Sequence, residues 1–242
     1  MLRADFGTVR VTADFGASYF IGGQRFVTLI LFLKYFSEKT GDFQTECLYN
    51  IVTDPEERSE DAFYVRAVWH HHLKVSQVFD NWSTIILERD SGPRFQNNNI
   101  DFFESTIGSD YGKKFIVSAF AKRHGFNECD GALARFIGAV RSKSLEDSPP
   151  TTASPAAAVI NSHDKFGNCT AYYFDKIDRN PDLFPKLRPF HGIQAAALCE
   201  FKYEFQDFNG KVVRERDMPA YQWGRSMAVP RLSTRHKEQS MG

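Results

Sequence analysis

The sequence predicts a mixed α/β domain. Its expected core is a five-stranded sheet in the order β-β-β-α-β-α-β-α, with helices on both faces. Three observations lead there. "TVRVTAD", residues 8–14, alternates Val9, Val11 and Ala13 with Arg10, Thr12 and Asp14, the period-two pattern of a strand. Two further β-branched and aromatic runs follow, joined by the tight-turn signal "KTGD". After residue 54, helical spacing alternates with short strand-like runs.

Taken in order, "RFVTLILFLKYF" from Arg25 is almost continuously apolar, which suits a strand buried on both faces. "FQTECLYNIVT" reads as a third strand, so the first three form a meander. In "TDPEER", Asp54, Pro55 and Glu57 make a capping box with a first-turn proline. Val65, Val68, His72, Val75 and Phe79 continue at helical spacing, predicting a helix over 55–79. "STIILERD" is a short strand ending at Asp90, and Gly92-Pro93 punctuates the loop behind it. "IDFFESTIG" reads as a short helix and "KKFIVSAFAK" as the fifth strand. "HGFNECDGALARFIGAVR", residues 124–141, is a loop running into a helix whose buried stripe is Leu133, Phe136, Ile137 and Val140.

This core occupies residues 5–142. "SKSLEDSPPTTASPAAA" then predicts a flexible linker over 143–160, because it offers almost no large apolar side chain to a core. Residues 161–230 read as a C-terminal β extension, in which "LCEFKYEF" and "KVVRER" flank the hairpin signal "QDFNG". Residues 231–242 read as a disordered basic tail. From Lys211 onward, Lys and Arg outnumber Asp and Glu by four.

Composition narrows the class. Of 242 residues, 42% are hydrophobic and 23 are phenylalanine, enough for an aromatic-rich core. The formal net charge is zero, which argues against a blanket of positive charge for nucleic acid but leaves room for a local basic groove. The four cysteines (Cys47, Cys129, Cys169 and Cys199) form no CxxC pair, so neither zinc-finger spacing nor a disulfide framework is present. The most apolar run, 26–36, falls far short of the ~20 residues that span a bilayer. The N-terminus lacks a signal-peptide apolar region. An intracellular, non-membrane protein is expected.

The chemistry concentrates in carboxylates. Asp14 is expected to end the first strand, Asp90 ends the fourth, and Asp130 opens the last helix of the core. Strands one and four can lie side by side, bringing Asp14 and Asp90 to one sheet edge, with Asp130 delivered by a helix packed over it. Converging carboxylates repel unless a cation lies between them, and hard oxygen donors select Mg²⁺ or Mn²⁺. Two such ions about 3.5–4 Å apart would clamp the oxygens of a phosphodiester. Each acid also has a local reading. Asp14 and Asp90 suit turns, and Asp130 suits the positive end of a helix behind an Asn127 cap. Glu128 competes for the metal role but points about 200° away from Asp130 on a helix. Asp130 shares its face with Leu133, Ala134 and Ile137 and is preferred.

"VTADFGASY", "ERDSGPRFQNN" and "HGFNECDGALARFIGAVR" together resemble three blocks of the RNase H-like catalytic domain of eukaryotic cut-and-paste DNA transposases. "PFHGIQAAALCEFKYEF" is similar to a C-terminal β extension in such proteins. The resemblance covers most of 5–142 and, more faintly, 186–217. It implies an RNase H-like fold and metal-dependent DNA cleavage or strand transfer. Asp14, Asp90 and Asp130 would be the metal-binding catalytic acids, with His124 orienting substrate. DNA would be the partner, with self-association compatible and no small-molecule cofactor, and the location would be nuclear. Three features depart from the pattern: Phe126 stands where lysine is usual, Glu88-Arg89 replaces a serine context, and Arg141 is single where a basic pair is usual. Such departures suit a domesticated copy. The chain begins almost at the first catalytic strand, so target recognition is expected elsewhere.

Around the acids, Arg94, Gln96, Lys122 and Arg123 could supply a positive rim for phosphates. His70, His71 and His72 in "WHHHL" fan out at about 100° each on a helix and cannot share one ion. His72 lies on the apolar side and is expected to hydrogen-bond in the core. Two other functions fit the residues: a transposase-derived binding or scaffold protein without catalysis, and a nuclease acting on RNA or RNA/DNA hybrids.

Overall fold

The computed structural model describes residues 7–53, 60–89, 95, 98–119, 127–146, 148–162 and 166–184, with the backbone of 201–206 and 212–218. The chain is mixed α/β and divides into two compact units, Met1–Phe95 with Thr106–Arg179, and Gln96–Ser105 with Asn180–Gly242.

The first unit is built on a six-stranded sheet. Its strands are β1 (Thr8–Ile21), β2 (Gln24–Ser37), β3 (Asp42–Thr53), β4 (Thr84–Arg89), β5 (Lys114–Ala119) and β6 (Cys169–Phe174). Their spatial order is β5-β4-β1-β2-β3-β6. β1, β2 and β3 form the antiparallel meander, while β4 pairs parallel to β1 and β5 parallel to β4. The helices are α1 (Ala62–His70, continued by a π-helical turn His71–Val75), α2 (Asn98–Asp110, which runs across the boundary between units), α3 (Glu128–Glu146) and α4 (Ala153–Asn161).

β2 is buried from Phe26 to Leu31 because both of its faces are covered. On one face, Phe15 of β1 packs against Tyr64 of α1, and Tyr172 and Phe174 of β6 pack against His71. On the other, Phe26, Ile30, Cys47, Tyr49 and Ile51 form one cluster with Cys129, Ala132, Phe136 and Val140 of α3 and Ala153, Ala156, Ala157 and Ile160 of α4. Helices therefore cover both faces.

The structure corrects several expectations. The sheet has six strands, not five, because β6 pairs parallel to the outer edge of β3, with Cys47↔Cys169 through Val52↔Phe174 in register. Residues 143–160 are not a linker throughout. α3 runs to Glu146, and α4 lays Ala153, Ala156 and Ala157 into the core. Alanines at helical spacing need no bulk to do this, since they let a helix approach the sheet closely; a count of large apolar residues misses them. The first unit therefore extends to Arg179, not 142. Asp14 does not end β1: the strand continues to Ile21 along β2 through an irregularity between Gly16 and Tyr19. The described part of the first helix starts at Ala62, where the Asp61 carboxylate accepts from the Tyr64 N–H at 2.9 Å. It gives way to the π-helical turn before Phe79. The proposed Asp54 cap lies outside the described residues.

In the second unit β7 (Phe201–Gln206) and β8 (Val212–Met218) pair antiparallel. The Asn-Gly turn between them lies outside the described residues, as does the tail 231–242.

Candidate active site at the β1–α3 junction

Along β1 the side chains alternate between the two helical layers. Phe15 points towards α1. Asp14 and Gly16 are turned to α3, as is the backbone carbonyl of Thr12, which accepts from the Cys129 thiol at 3.5 Å. Gly16 allows the helix to come close: a Cβ placed there would lie 2.7 Å from Leu133 Cδ1. Asp14 stands opposite Ile30 on β2 and just past Ala13↔Arg89, the last described pair between β1 and β4.

α3 begins above this point, and Asn127 is its cap. The Asn127 Oδ1 accepts from the N–H of Cys129 at 2.8 Å and of Asp130 at 3.3 Å. In return the Asn127 N–H donates to Asp130 Oδ2 at 3.0 Å, closing a capping box with Asp in the third helical position. The remaining donor of Asn127 reaches across the layers: Nδ2 donates to Asp14 Oδ2 at 2.8 Å. Asp14 and Asp130 are thus gathered on one asparagine at the positive end of a helix. Sequence reasoning had Asn127 only as a cap. No local pattern reveals that its amide bridges to a strand 113 positions away.

The electrostatics agree with the geometry. The buried Cys129 thiol is held well above its ordinary pKa, first by burial and then by the charges of Asp14, Glu128 and Asp130 in that order. Three carboxylates therefore project a negative field into the β1–α3 junction. Glu128 is exposed and contributes through charge. It also raises the Arg10 pKa, though less than the hydrogen bond from Arg10 to Glu88 does. Arg10 and Glu88 form a two-pronged ion pair between β1 and β4, with Nε to Oε2 at 2.7 Å. Arg89 is buried instead, donating from Nη1 to the Phe95 carbonyl at 3.0 Å and lying over the Phe95 ring. Glu88 and Arg89, which the sequence marks only as departures, are engaged in the sheet and on its opposite face. The signal was present in the parity of β4, where Ile85, Leu87 and Arg89 are the buried set.

Asp90, Arg94, Gln96, Lys122, Arg123 and His124 lie outside the described residues. Among the described residues no group of three or more His, Cys, Asp or Glu side chains is arranged to hold a metal ion. The three consecutive histidines are engaged in different ways, although His71 and His72 both pack against the Tyr172 ring. His70 Nδ1 meets the Tyr111 hydroxyl. His71 packs against the rings of Tyr172 and Phe174. His72 is buried between Asn50 Oδ1 at 2.7 Å and Ser76 Oγ at 3.1 Å. Burial, then the charge of His71, lowers the His72 pKa to about 3, so its imidazole is a neutral core group. Among the described residues no helix is long and apolar enough to cross a membrane.

No protein-family model matches this chain, and no curated protein matches it. Among solved structures, a chain of the cryo-EM structure of the simian T-cell lymphotropic virus intasome in complex with PP2A regulatory subunit B56 gamma is similar over 90% of this chain and 78% of its own, at 12% identity and a TM-score of 0.35. A superposition that loose carries no argument about fold or function.

Proposed function

We propose that this chain is an RNase H-like catalytic core of the transposase type, performing metal-dependent cleavage or strand transfer on DNA. The observation that carries the reading is the meeting of Asp14 and Asp130 on Asn127. Supporting it are the strand order, the parallel β1–β4 pair and the helices on both faces. Asp90 directly follows Arg89, whose partner is Ala13, the neighbour of Asp14.

The donor set fits hard divalent cations. Asp14 and Asp130 would supply oxygen ligands and Asp90 the third; after burial, the charges of Asp14, Glu128 and Asp130 are what hold the Cys129 thiol above its ordinary pKa. Mg²⁺ or Mn²⁺, two ions in this reading, would neutralise charge on the phosphodiester and supply an activated water or 3′-hydroxyl. Asn127 fixes the Asp14 carboxylate, and the capping box fixes that of Asp130. Rigid placement of this kind keeps reacting groups aligned. His124 would orient substrate, and Arg94, Gln96, Lys122 and Arg123 would hold phosphates. In this reading the protein works on DNA in the nucleus.

A Mg²⁺ and Mn²⁺ titration with DNA and RNA/DNA hybrid substrates, comparing the natural chain with Asp90→Asn, separates the possibilities. DNA cleavage abolished by Asp90→Asn supports the proposal, whereas cleavage that survives it removes the site assignment. Preference for the hybrid favours the RNA-directed nuclease, and a folded chain that cleaves nothing favours the scaffold.

A further inference from the structure

Cys47 and Cys169 are direct partners in the parallel ladder between β3 and β6. Partners in a parallel ladder project to the same face, and neighbouring strands run about 4.8 Å apart, inside the 4.4–6.8 Å range of Cα separations that a disulfide spans. Both side chains belong to the layer beneath α3 and α4. Cys47 is buried, Cys169 is partly open to solvent, and both are free thiols. The ladder is pinned at the N-terminal side of the pair, where the Cys47 N–H donates to the Asn168 carbonyl at 2.9 Å and Asn168 Nδ2 donates to the Thr45 carbonyl at 3.1 Å, and it continues on the other side from Leu48↔Thr170 to Val52↔Phe174.

From this juxtaposition we propose that Cys47 and Cys169 form a two-electron redox modification site, closed to an intramolecular disulfide by a hydroperoxide. The accessible member reacts first. Interaction with the Cys47 thiol is the largest influence lowering the Cys169 pKa, and the positive charge of Arg135 on α3 adds to it against the opposing effect of burial. Cys47 is pushed up and stays a thiol, chiefly through the same interaction with Cys169 and then through burial. A thiol poised as thiolate beside a second sulfur is the arrangement that sensing pairs use.

With hydrogen peroxide, the Cys169 thiolate attacks one oxygen, the O–O bond breaks, and hydroxide leaves to take up a proton as water. The Cys47 sulfur then attacks the sulfur of the resulting sulfenic acid, and the second oxygen departs as water with the Cys47 proton. Two thiols lose two electrons and two protons, and one peroxide becomes two waters. The product ties edge strand β6 to β3 covalently. This site does not depend on the proposed nuclease reading.

The test is peroxide treatment of the full chain, followed by non-reducing peptide mapping and thiol titration. The expected result is a Cys47–Cys169 linked peptide lighter by two hydrogens, loss of two thiols per chain, and full reversal by dithiothreitol. In Cys169→Ser, Cys47 keeps its thiol under the same dose. In Cys47→Ala, a sulfenic acid accumulates at Cys169 and is trapped by dimedone. The proposal is overturned if oxidation falls first on Cys129 or Cys199, if the linkage joins two chains, or if Cys169 overoxidises while Cys47 stays reduced.

Discussion

The side-chain amide of Asn127 donates to the carboxylate of Asp14 at 2.8 Å, joining the cap of α3 to the middle of β1. The same residue accepts from the Cys129 N–H and donates its own N–H to Asp130. One asparagine therefore starts the helix and separates two like charges.

Replacing Asn127 tests both roles. Asn127→Ala removes the cap and should cost ~1–2 kcal/mol in urea unfolding. Asn127→Asp keeps an acceptor for the Cys129 N–H but sets a third carboxylate against Asp14. It should be less stable than the natural chain in EDTA and recover part of the difference in Mg²⁺ or Mn²⁺. Equal stability of Asn127→Asp and the natural chain in EDTA would show that the two carboxylates are not apposed.

A bound divalent ion should stabilise the native state by mass action, about 2.7 kcal/mol when its concentration is a hundred times Kd. Thermal unfolding in EDTA and in a Mn²⁺ series reads this as a rising midpoint. Asp14→Asn and Asp130→Asn should each flatten the series. On DNA substrate they should lower the cleavage rate at least about a hundredfold, since the stabilisation at stake is several kcal/mol. Midpoints that rise equally in all three proteins would place the ion elsewhere.

His72 should make the fold acid-sensitive. Its pKa is lowered to about 3 by burial, then by His71, against an ordinary 6.5. The unfolded chain therefore takes up a proton at a pH where the folded chain does not. The stabilising contribution is complete above the unfolded pKa and is lost as pH falls towards the folded one, at about 1.4 kcal/mol per unit. Stability should drop by ~2 kcal/mol between pH 6.5 and 5 from this group. His70 and His71 are lowered in the same direction and add to it. In His72→Gln the acid limb of a pH series of urea midpoints should be shallower by the His72 share; an unchanged limb would contradict the buried neutral imidazole.

Gly16 sets how closely α3 approaches β1. A Cβ there would sit 2.7 and 3.0 Å from the two terminal methyls of Leu133, which can shift in part. Gly16→Ala should cost ~1 kcal/mol and Gly16→Val up to ~3. Leu133→Ala combined with Gly16→Val should recover part of the loss, which a double-mutant cycle measures. Strict additivity would mean the two residues do not touch.

Much of the sheet was legible because its signals are local. Alternation in 8–14, near-continuous apolarity in 25–36 and the turn at "KTGD" specify the meander, and the β2 burial pattern follows from them. The stripe Leu133, Phe136, Ile137 and Val140 likewise marks the buried side of α3, with Phe136 and Val140 fully enclosed. What escaped were features with no local cost to display. α4 packs through small alanines. β6 is a short strand whose pairing with β3 depends on a partner more than a hundred positions away. The burial of Arg89 depends on the Phe95 carbonyl that receives it.

The sequence alone marked the segments of β1 to β5 and of α1 to α3, because periodicity and capping chemistry act over a few residues. It also named Asp14 and Asp130 as acids worth watching. Only the tertiary structure decided that β1 continues past Asp14, that a sixth strand closes the β3 edge, and that Asn127 lies between the two carboxylates. Those outcomes rest on contacts between distant segments, where packing distance and hydrogen-bond geometry, not local pattern, select the arrangement.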